Sequence, residues 1–372
     1  MNNLFILLLS FQTIILMVSL FNLISRPWVE REKPRIGNTD FDKEPLPDVL
    51  IPVRNEETRL NPLLSSLTKG AAGFNKIIFY DDHSTDKTAS IIRNSMEQVS
   101  KIELIEGRPL PGGWNGKTYA CHQLAKKSRA ESMLFVDADV MISPDLSFIL
   151  SNVLWRDKLS LVSVFPYQEM KSIGERVTVP LMHWILLSLL PLRMVFSLKH
   201  DSIAAANGQV MLFNAEVYRR NGWHSLVRSE VVEDIKIARL VKRKGYRMRV
   251  MVSHGAVRCR MYASYMDAVK GFSKNIHQFF GGSRLLAFGY VLLFGIVPIV
   301  ILPFIDLWQG LVLGSFIILN RVSTSIIAGQ NILGNLFLHP VQMGVMIHIL
   351  IINLREKTKK KIQWKGRDID LG

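Results

Sequence analysis

The sequence predicts an α/β domain with a mostly parallel sheet, held by apolar helices at both ends of the chain. Three observations predict it. Strand-like and helix-like segments alternate from Asp48 onward. Leu4 to Ile24 is almost uninterrupted apolar sequence, and the last third of the chain is again rich in long apolar runs. Alternating β and α segments build parallel sheets with helices on both faces. Apolar runs of about 20 residues match the thickness of a bilayer core.

The first run spans ~30 Å at ~1.5 Å per residue. A cleaved signal peptide is the competing reading. The residues before the run carry no Lys or Arg, and no small-residue cleavage site follows, so residues 1–25 read as an uncleaved anchor. Arg26, Arg31, Lys33 and Arg35 follow and place that flank in the cytosol. Residues 26–47 are polar, contain proline and read as a linker. Val49–Val53, Lys76–Asp81, Ile102–Ile105 and Met133–Asp137 read as strands. Glu57–Lys69, Thr85–Ser100 and Thr118–Lys127 read as the helices between them. Further on, Leu159–Phe165, Gln209–Phe213 and Arg247–Val252 read as strands, with a helix over Glu233–Lys244. The domain extends over residues 48–284.

Val177–Leu198 is apolar but broken by Pro180 and Pro191, and reads as a helix at the membrane surface. Residues 285–354 read as membrane helices. Leu285–Ile305 is the clearest span, and Ile332–Leu354 is another candidate. Trp308–Ala328 carries Asn320 and Arg321, so it is the segment expected to re-enter rather than cross. That expectation keeps the basic tail, residues 355–372, in the cytosol with the domain. The protein is therefore expected in the cell membrane, multi-pass, with its domain cytosolic.

The net charge is +15. Nucleic acid is excluded as a partner, because zinc spacing, an aromatic RNA-binding signature and a DNA-reading helix are all missing. Basic residues beside apolar segments fit anionic lipid instead. Cys121 and Cys259 lie far apart, outside any metal-ligand spacing, and fit a reducing compartment.

The chemistry concentrates at strand ends. Ser132 to Asp139 is a hydrophobic strand closed by Asp137-Ala-Asp139. Strand C-termini form the ligand-binding edge of open α/β sheets. Two carboxylates there suit a hard cation such as Mg²⁺ or Mn²⁺ together with phosphate oxygens. The first strand ends in Ile51-Pro52-Val-Arg54-Asn55-Glu56-Glu57 and the second in Asp81-Asp82-His83-Ser84-Thr85-Asp86. Asp82 is placed to accept hydrogen bonds from a base or ribose, while Ser84 or Thr85 can cap the next helix. The Gly-rich loop Pro111 to Lys117 ends in a cation that can offset diphosphate charge, although a solvated lysine is the plainer reading. Glu233-Asp234 opens a helix, where acids stabilise the macrodipole. One of them can also act as a general base. Asn207 and Gln209 lie between these blocks and are assigned to an acceptor side, or to a turn before a strand. Lys274 and Asn275 are similar cases. His254 reads as a core histidine.

Taken in order, the blocks at 51–57, 81–86, 137–139 and 233–234 resemble the family-2 glycosyltransferases with a GT-A fold. The resemblance covers roughly residues 48–280. It implies nucleotide-sugar binding by Pro52, Arg54, Asn55, Glu56, Asp82, Lys117 and Asp137. It also implies a metal on Asp139, catalysis by Asp234 with Glu233, and inversion by single displacement. His83 stands where glycine is usual. Trp114 to Cys121, Arg260-Met-Tyr262, Trp364 to Arg367 and the C-terminal spans resemble bacterial carotenoid glycosyltransferases of the diaponeurosporenoate type. That resemblance implies a UDP-sugar donor, UDP-glucose by family weight, a lipid or carotenoid acceptor, and Arg260 beside the site. The Gln-x-x-Arg-Trp pattern of processive synthases is absent, so a single transfer is expected. A hopanoid, ceramide, diacylglycerol or polyprenyl phosphate acceptor and a non-catalytic scaffold are the alternatives. Intact Asp137, Asp139 and Asp234 speak against the scaffold.

Overall fold

The computed structural model describes residues 2–32, 44–230, 232–356, 361–364 and 367–370. Lys33 and Arg35 of the expected linker, Lys357, Lys359 and Lys360 of the basic tail, and Lys365 and Gly366 of the Trp364–Arg367 motif lie outside these residues.

Ten strands build the domain: β1 (Asp48–Val53), β2 (Ile77–Asp81), β3 (Ile102–Glu106), β4 (Ser132–Val136), β5 (Val140–Ile142), β6 (Leu161–Phe165), β7 (Tyr167–Gln168), β8 (Val210–Asn214), β9 (Met248–Val252) and β10 (Val257–Cys259). Seven form one sheet in the order β3-β2-β1-β4-β8-β6-β9. The β3-β2-β1-β4 half is parallel, β8 runs against both neighbours, and β6 pairs parallel with β9. Continuous runs of Val, Ile, Leu and Phe suit strands covered on both faces. Every residue of β2 and β4 is buried accordingly. A small sheet, β5-β10-β7, stands beside the main one. It brings Cys259 and Gln168 toward the end of the Asp-x-Asp strand, a pairing the sequence reading lacked.

The expected helices form with trimmed ends: Leu60–Lys69, Thr88–Gln98, Gly116–Lys127 and Glu233–Arg243. The third begins two residues early because the Asn115 side chain accepts the Lys117 N–H, an N-cap. A further helix, Leu146–Arg156, packs under the sheet.

The apolar ends differ from expectation in an instructive way. Asn2–Ser25 is one 24-residue helix and Leu307–Ile327 one of 21 residues, and both are long and apolar enough to cross a membrane. They run side by side in the same direction. Gln309 Nε2 donates to Asn2 Oδ1 at 3.2 Å at one end, and Trp28 Nε1 to the Ile327 carbonyl at 3.1 Å at the other. Leu307–Ile327, the segment expected to re-enter, is therefore continuous. Asn320 explains why it tolerates polar residues. Its amide bonds the Ile15 carbonyl, Ser19 and Ser188, and its oxygen accepts from Trp184 Nε1 at 2.8 Å.

Leu285–Ile305, expected as the clearest span, is instead bent and segmented. It comprises a helix over Arg284–Tyr290, a π-helical turn over Val291–Ile296 and a short helix over Val297–Val300. It runs opposite to Asn2–Ser25, with Gln12 Nε2 on the Phe294 carbonyl and Leu8 packed near Ile301. The Ile332–Leu354 candidate breaks at Leu338. Its longer part, His339–Glu356, folds back along Tyr265–Asn275, with Tyr265 OH 2.7 Å from His348 Nδ1. Gly295 allows this return, because a Cβ there would meet Met343 Sδ at 2.4 Å.

Val177–Leu198 forms short helices over Ile173–Thr178, Pro180–Leu189 and Leu192–Ser197. The break at Pro191 is held by Asn22, whose side chain bonds the Leu187 and Leu190 carbonyls and the Leu192 N–H. Replacing Asn320 by Ala leaves Trp184 Nε1 buried without its partner. Such a loss costs about 1–3 kcal/mol. Thermal unfolding of the detergent-solubilised variant should show a clearly lowered midpoint.

Candidate active site

The C-terminal ends of β1, β2 and β4 surround a polar cleft of ≈ 170 Å³ lined by Pro52, Arg54, Glu56, Asp82, Lys117, Asp137 and Asp139. All but one of the expected nucleotide-sugar residues are thus brought together. The exception is Asn55, which fastens the two motif loops to each other. Its Oδ1 accepts the Thr85 N–H at 2.8 Å and its own N–H donates to Ser84 Oγ at 3.0 Å. It does so from a left-handed backbone, φ 51°, a conformation asparagine tolerates better than most residues. Glu56 N–H donates to Thr88 Oγ1 at 2.8 Å, which adds a second tie.

His83 also sits at positive φ, 55°. The departure from glycine at this position leaves the left-handed turn intact. Ser84 N–H and Oγ both bond Asp81 Oδ1 and hold it. Asp82 is buried, and Arg54 Nη1 lies 2.5 Å from its carbonyl and 3.8 Å from its Oδ2.

Lys117 is the hub. Its Nζ lies 2.9 Å from Asp137 Oδ2 and 3.0 Å from Glu233 Oε1. Burial works against its charge, but the Asp137 and Glu233 carboxylates outweigh it and hold the ammonium well above the ordinary lysine range. Burial pushes Asp137 up to about 6, with Lys117 pulling the other way. Asp139 is also raised by burial, against the pull of Arg59 and Lys117, and it contacts Gln209 and Cys259. Arg59 lines the cleft as well. A basic residue just past a loop motif is a weak sequence signal, and it was missed.

Among the described residues no three His, Cys, Asp or Glu side chains cluster as a self-sufficient metal site. A desolvated carboxylate at the mouth of a diphosphate-sized cleft does fit the way Mg²⁺ binds, through one or two carboxylates plus substrate phosphates. His254 is elsewhere, with Nε2 2.8 Å from the Ile327 carbonyl and its ring against Trp28.

Asp234 opens the Glu233–Arg243 helix. It accepts the Gly208 N–H at 2.8 Å and the Ile235 N–H at 2.7 Å. Burial, helped by the Glu233 charge, pushes its carboxyl up to about 7. Gly208 permits this approach, since a Cβ there would stand 3.3 Å from Lys117 Nζ and 3.4 Å from Glu233 Oε1.

Asp234 also lines a second, apolar cavity of ≈ 430 Å³ with Asn207, Met182, His183, Leu186, Tyr262 and Phe272. Of the residues expected on the acceptor side, Asn207 and Asn275 are there, and Lys274 is not among the lining residues. Gln209 lies under the Asp-x-Asp instead, its carbonyl accepting the Asp137 N–H and its Nε2 2.8 Å from Cys259 Sγ. Arg260 pairs with the fully buried Glu175 at 2.8 Å. Tyr262, of the Arg260-Met-Tyr262 motif, lines the cavity, and so do His183, Gln168 and Arg239, which had not been foreseen. Of these three only His183 left a trace, as the polar residue inside an apolar run.

Residues 48–220 match glycosyl transferase family 2. Over those residues the chain is similar to that family. Its fold is GT-A. The chain is 27% identical over 231 residues to the 4,4'-diaponeurosporenoate glycosyltransferase of Staphylococcus haemolyticus (strain JCSC1435), covering 61% of the chain and 60% of the relative. It is 26% identical over 241 residues to the enzyme of the same name from Staphylococcus aureus (strain USA300), covering 63% and 62%. The match thus spans about three-fifths of the length of these curated relatives. A mannosyltransferase from Pyrobaculum calidifontis, solved with GDP-Man and Mn²⁺, shares the fold with a TM-score of 0.54 at 16% identity, over 95% of this chain and 99% of that one.

The raised carboxyl of Asp234 makes a stability prediction. Its folded value, about 7, lies above the ordinary 3.8. Folding therefore favours the protonated form, and stability falls as pH rises from about 4 through about 7. Asp234→Asn removes that slope. Its melting temperature should exceed the parent's at pH 8, and the gap should shrink steadily by pH 5.

Proposed function

We propose that the protein is a membrane-bound inverting glycosyltransferase that moves a hexose, glucose by family weight, from a UDP-sugar to a lipophilic acceptor, a carotenoid carboxylic acid. The single observation that carries this reading is the position of Asp234. It lines an apolar cavity suited to a lipid, while its neighbour Glu233 pairs with Lys117 of the polar cleft suited to a nucleotide-sugar. The names of the relatives support the carotenoid acceptor.

In this reading Arg54, Glu56 and Asp82 hold the nucleoside, and Asp137 with Lys117 positions the ribose and diphosphate. A Mg²⁺ or Mn²⁺ ion held by Asp139 and the donor's diphosphate would offset the charge of the departing UDP. The acceptor oxygen bonds to the anomeric carbon as the carbon–oxygen bond to the diphosphate breaks, with inversion. An alcohol acceptor gives its proton to Asp234, the general base. A carboxylate acceptor is ionised already and needs no base. A neutral Asp234 also repels such an anion less.

The membrane arrangement follows from the helix directions. Asn2–Ser25 runs inward, the bent Arg284–Phe304 segment outward, and Leu307–Ile327 inward again, leaving His339–Glu356 on the domain side. In this reading three crossings leave the domain and the tail in the cytosol, a count supported by the two span-length helices and the bent pair between them. Arg26 and Arg31 flank the inner end of the first helix, as the positive-inside rule requires.

Release of UDP from UDP-glucose by membranes carrying the protein tests the reading. With Mn²⁺ or Mg²⁺ and a bacterial carotenoid extract, lipid-stimulated release is expected, and chelation should abolish it. Asp139→Ala should lower the rate by about 10²–10³-fold, on the scale of losing one preorganised electrostatic stabiliser. Asp234→Asn should cost about 10²–10⁴-fold for an alcohol acceptor, the usual scale of general-base catalysis, and far less for a carboxylate. The rate with an alcohol should climb as pH passes about 7, where Asp234 ionises. With a carboxylic acid it should stay level there. Release indifferent to lipid and to both substitutions would contradict the proposal.

A further inference from the structure

Arg321 is almost fully buried in the Leu307–Ile327 helix, and no carboxylate pairs with it among the described residues. An uncompensated buried cation at membrane depth is costly and marks function more often than scaffold. Its Nε donates to the Asn335 carbonyl at 3.4 Å, and its other hydrogen bond starts a run of side chains. A guanidinium can only donate. Arg321 Nη2 therefore fixes Gln342 with its Oε1 inward. Gln342 Nε2 then donates to Asn335 Oδ1 at 3.2 Å. Asn335 Nδ2 donates to Gln330 Oε1 at 3.0 Å. Gln330 Nε2 faces His183 Nδ1 at 3.3 Å. Each amide is oriented by the one before it, and all are buried.

The chain ends on His183, whose Nδ1 must accept. Burial holds the ring neutral, with its pKa lowered to about 4. A neutral imidazole that accepts at Nδ1 carries its proton on Nε2. That Nε2 is buried without a partner, and the ring lines the apolar cavity beside Asp234. Two more buried side-chain oxygens without partners, Gln168 Oε1 and Asn275 Oδ1, belong to residues lining the same cavity. Unpaired buried polar atoms cost stability unless a ligand satisfies them. They give a largely apolar space polar groups for a ligand's polar head, His183 Nε2 being the donor among them.

We infer that His183 binds the carboxylate of a lipid acceptor, oriented and polarised for that task by the Gln330–Asn335–Gln342 relay from Arg321. The inference rests on the transferase reading and names how its acceptor is chosen. The relay delivers a donor and the field of an unpaired cation, which a carboxylate answers in both hydrogen bond and charge. A hydroxyl or ester answers only the first. His183 is a binding residue here, and Gln330, Asn335 and Gln342 position it.

The test is binding by the full-length protein in nanodiscs of uncharged phospholipid, read by tryptophan quenching. The probes are all-trans-retinoic acid, methyl retinoate and retinol, a polyene acid with its ester and alcohol. The acid should bind about tenfold or more tightly than either neutral probe, as a charge-assisted hydrogen bond would give. His183→Phe keeps the ring and removes the donor, and should erase the preference. His183→Gln restores a donor and should recover part of it. Gln330→Met cuts the relay while leaving Arg321 in place, and should reduce the preference several-fold. Melting curves confirm that each variant folds. Equal binding of the three probes by the parent, or an unchanged preference in folded His183→Phe, would overturn the inference. A UDP titration of the parent separates the two readings. UDP binding with no acid preference refutes the relay alone, whereas acid preference without UDP binding refutes the transferase and leaves the relay standing.

Discussion

The Lys117 ammonium holds the site together. It bridges Asp137, at the end of β4, to Glu233, at the start of the Glu233–Arg243 helix. Four carboxyls, Asp137, Asp139, Glu233 and Asp234, crowd this end of the sheet. Without a cation their mutual repulsion and desolvation would drive them to protonate or push the helix away. One lysine offsets part of that repulsion and fixes the distance between the two halves. Asn115 sets the lysine itself, by capping the helix on which it rides and donating to the Glu230 carbonyl beyond. The placement of Asp234 relative to the cleft therefore depends on a contact made by neither Asp234 nor the sheet.

The long apolar helices are tied to the same region by polar contacts as well as apolar packing. Glu30 follows the first helix. Its Oε1 accepts Ser253 Oγ and the N–H groups of His254, Gly255 and Ala256, all at 2.9–3.0 Å. Burial would raise this carboxyl, but those donors hold it below its ordinary value. The bonded loop joins β9 to β10, which carries Cys259 beside Asp139. Trp28 and His254 both reach the Ile327 carbonyl, so the anchor, the loop and the third apolar segment meet at one oxygen. Residues 26–32, expected as the start of a linker, thus form a joint. Through these hydrogen bonds the segment after the first helix reaches within three residues of Cys259, which contacts Asp139.

What could be read from the sequence follows from the range of the interactions. The strands of the parallel half and the helix after Glu233 were legible because local hydrophobic pattern determines them. Asp137, Asp139, Asp82 and Lys117 were legible because strand ends converge in this architecture whatever the loops do. Gln209 was misplaced because a strand's side chains alternate between faces, and only the pairing with β4 decides which face it takes. Arg260 could not be assigned without Glu175, 85 residues away. The details of the later apolar segments were hidden for a related reason. Hydropathy counts residues, and it could not show that Asn320 would be satisfied by four neighbours or that a π-helical turn would follow Tyr290. The second cavity left almost no sequence trace, since its lining is assembled from elements that share no pattern.

Asp234 shows why the site needs both solvents. In the proposed function a nucleotide-sugar arrives from water and a lipid from the bilayer, so the reacting atoms would meet at a boundary. A carboxyl placed there loses hydration, and its affinity for protons rises. Two backbone N–H groups limit the rise, leaving a group that titrates near neutrality instead of one locked neutral. That value suits a base that must take a proton from an alcohol. It suits an anionic acceptor equally well, because the carboxyl can lie neutral beside it. The acid alone does not choose between them. In the proposed reading the choice passes to the groups around the lipid head, among them a histidine whose proton position the Gln330–Asn335–Gln342 relay sets.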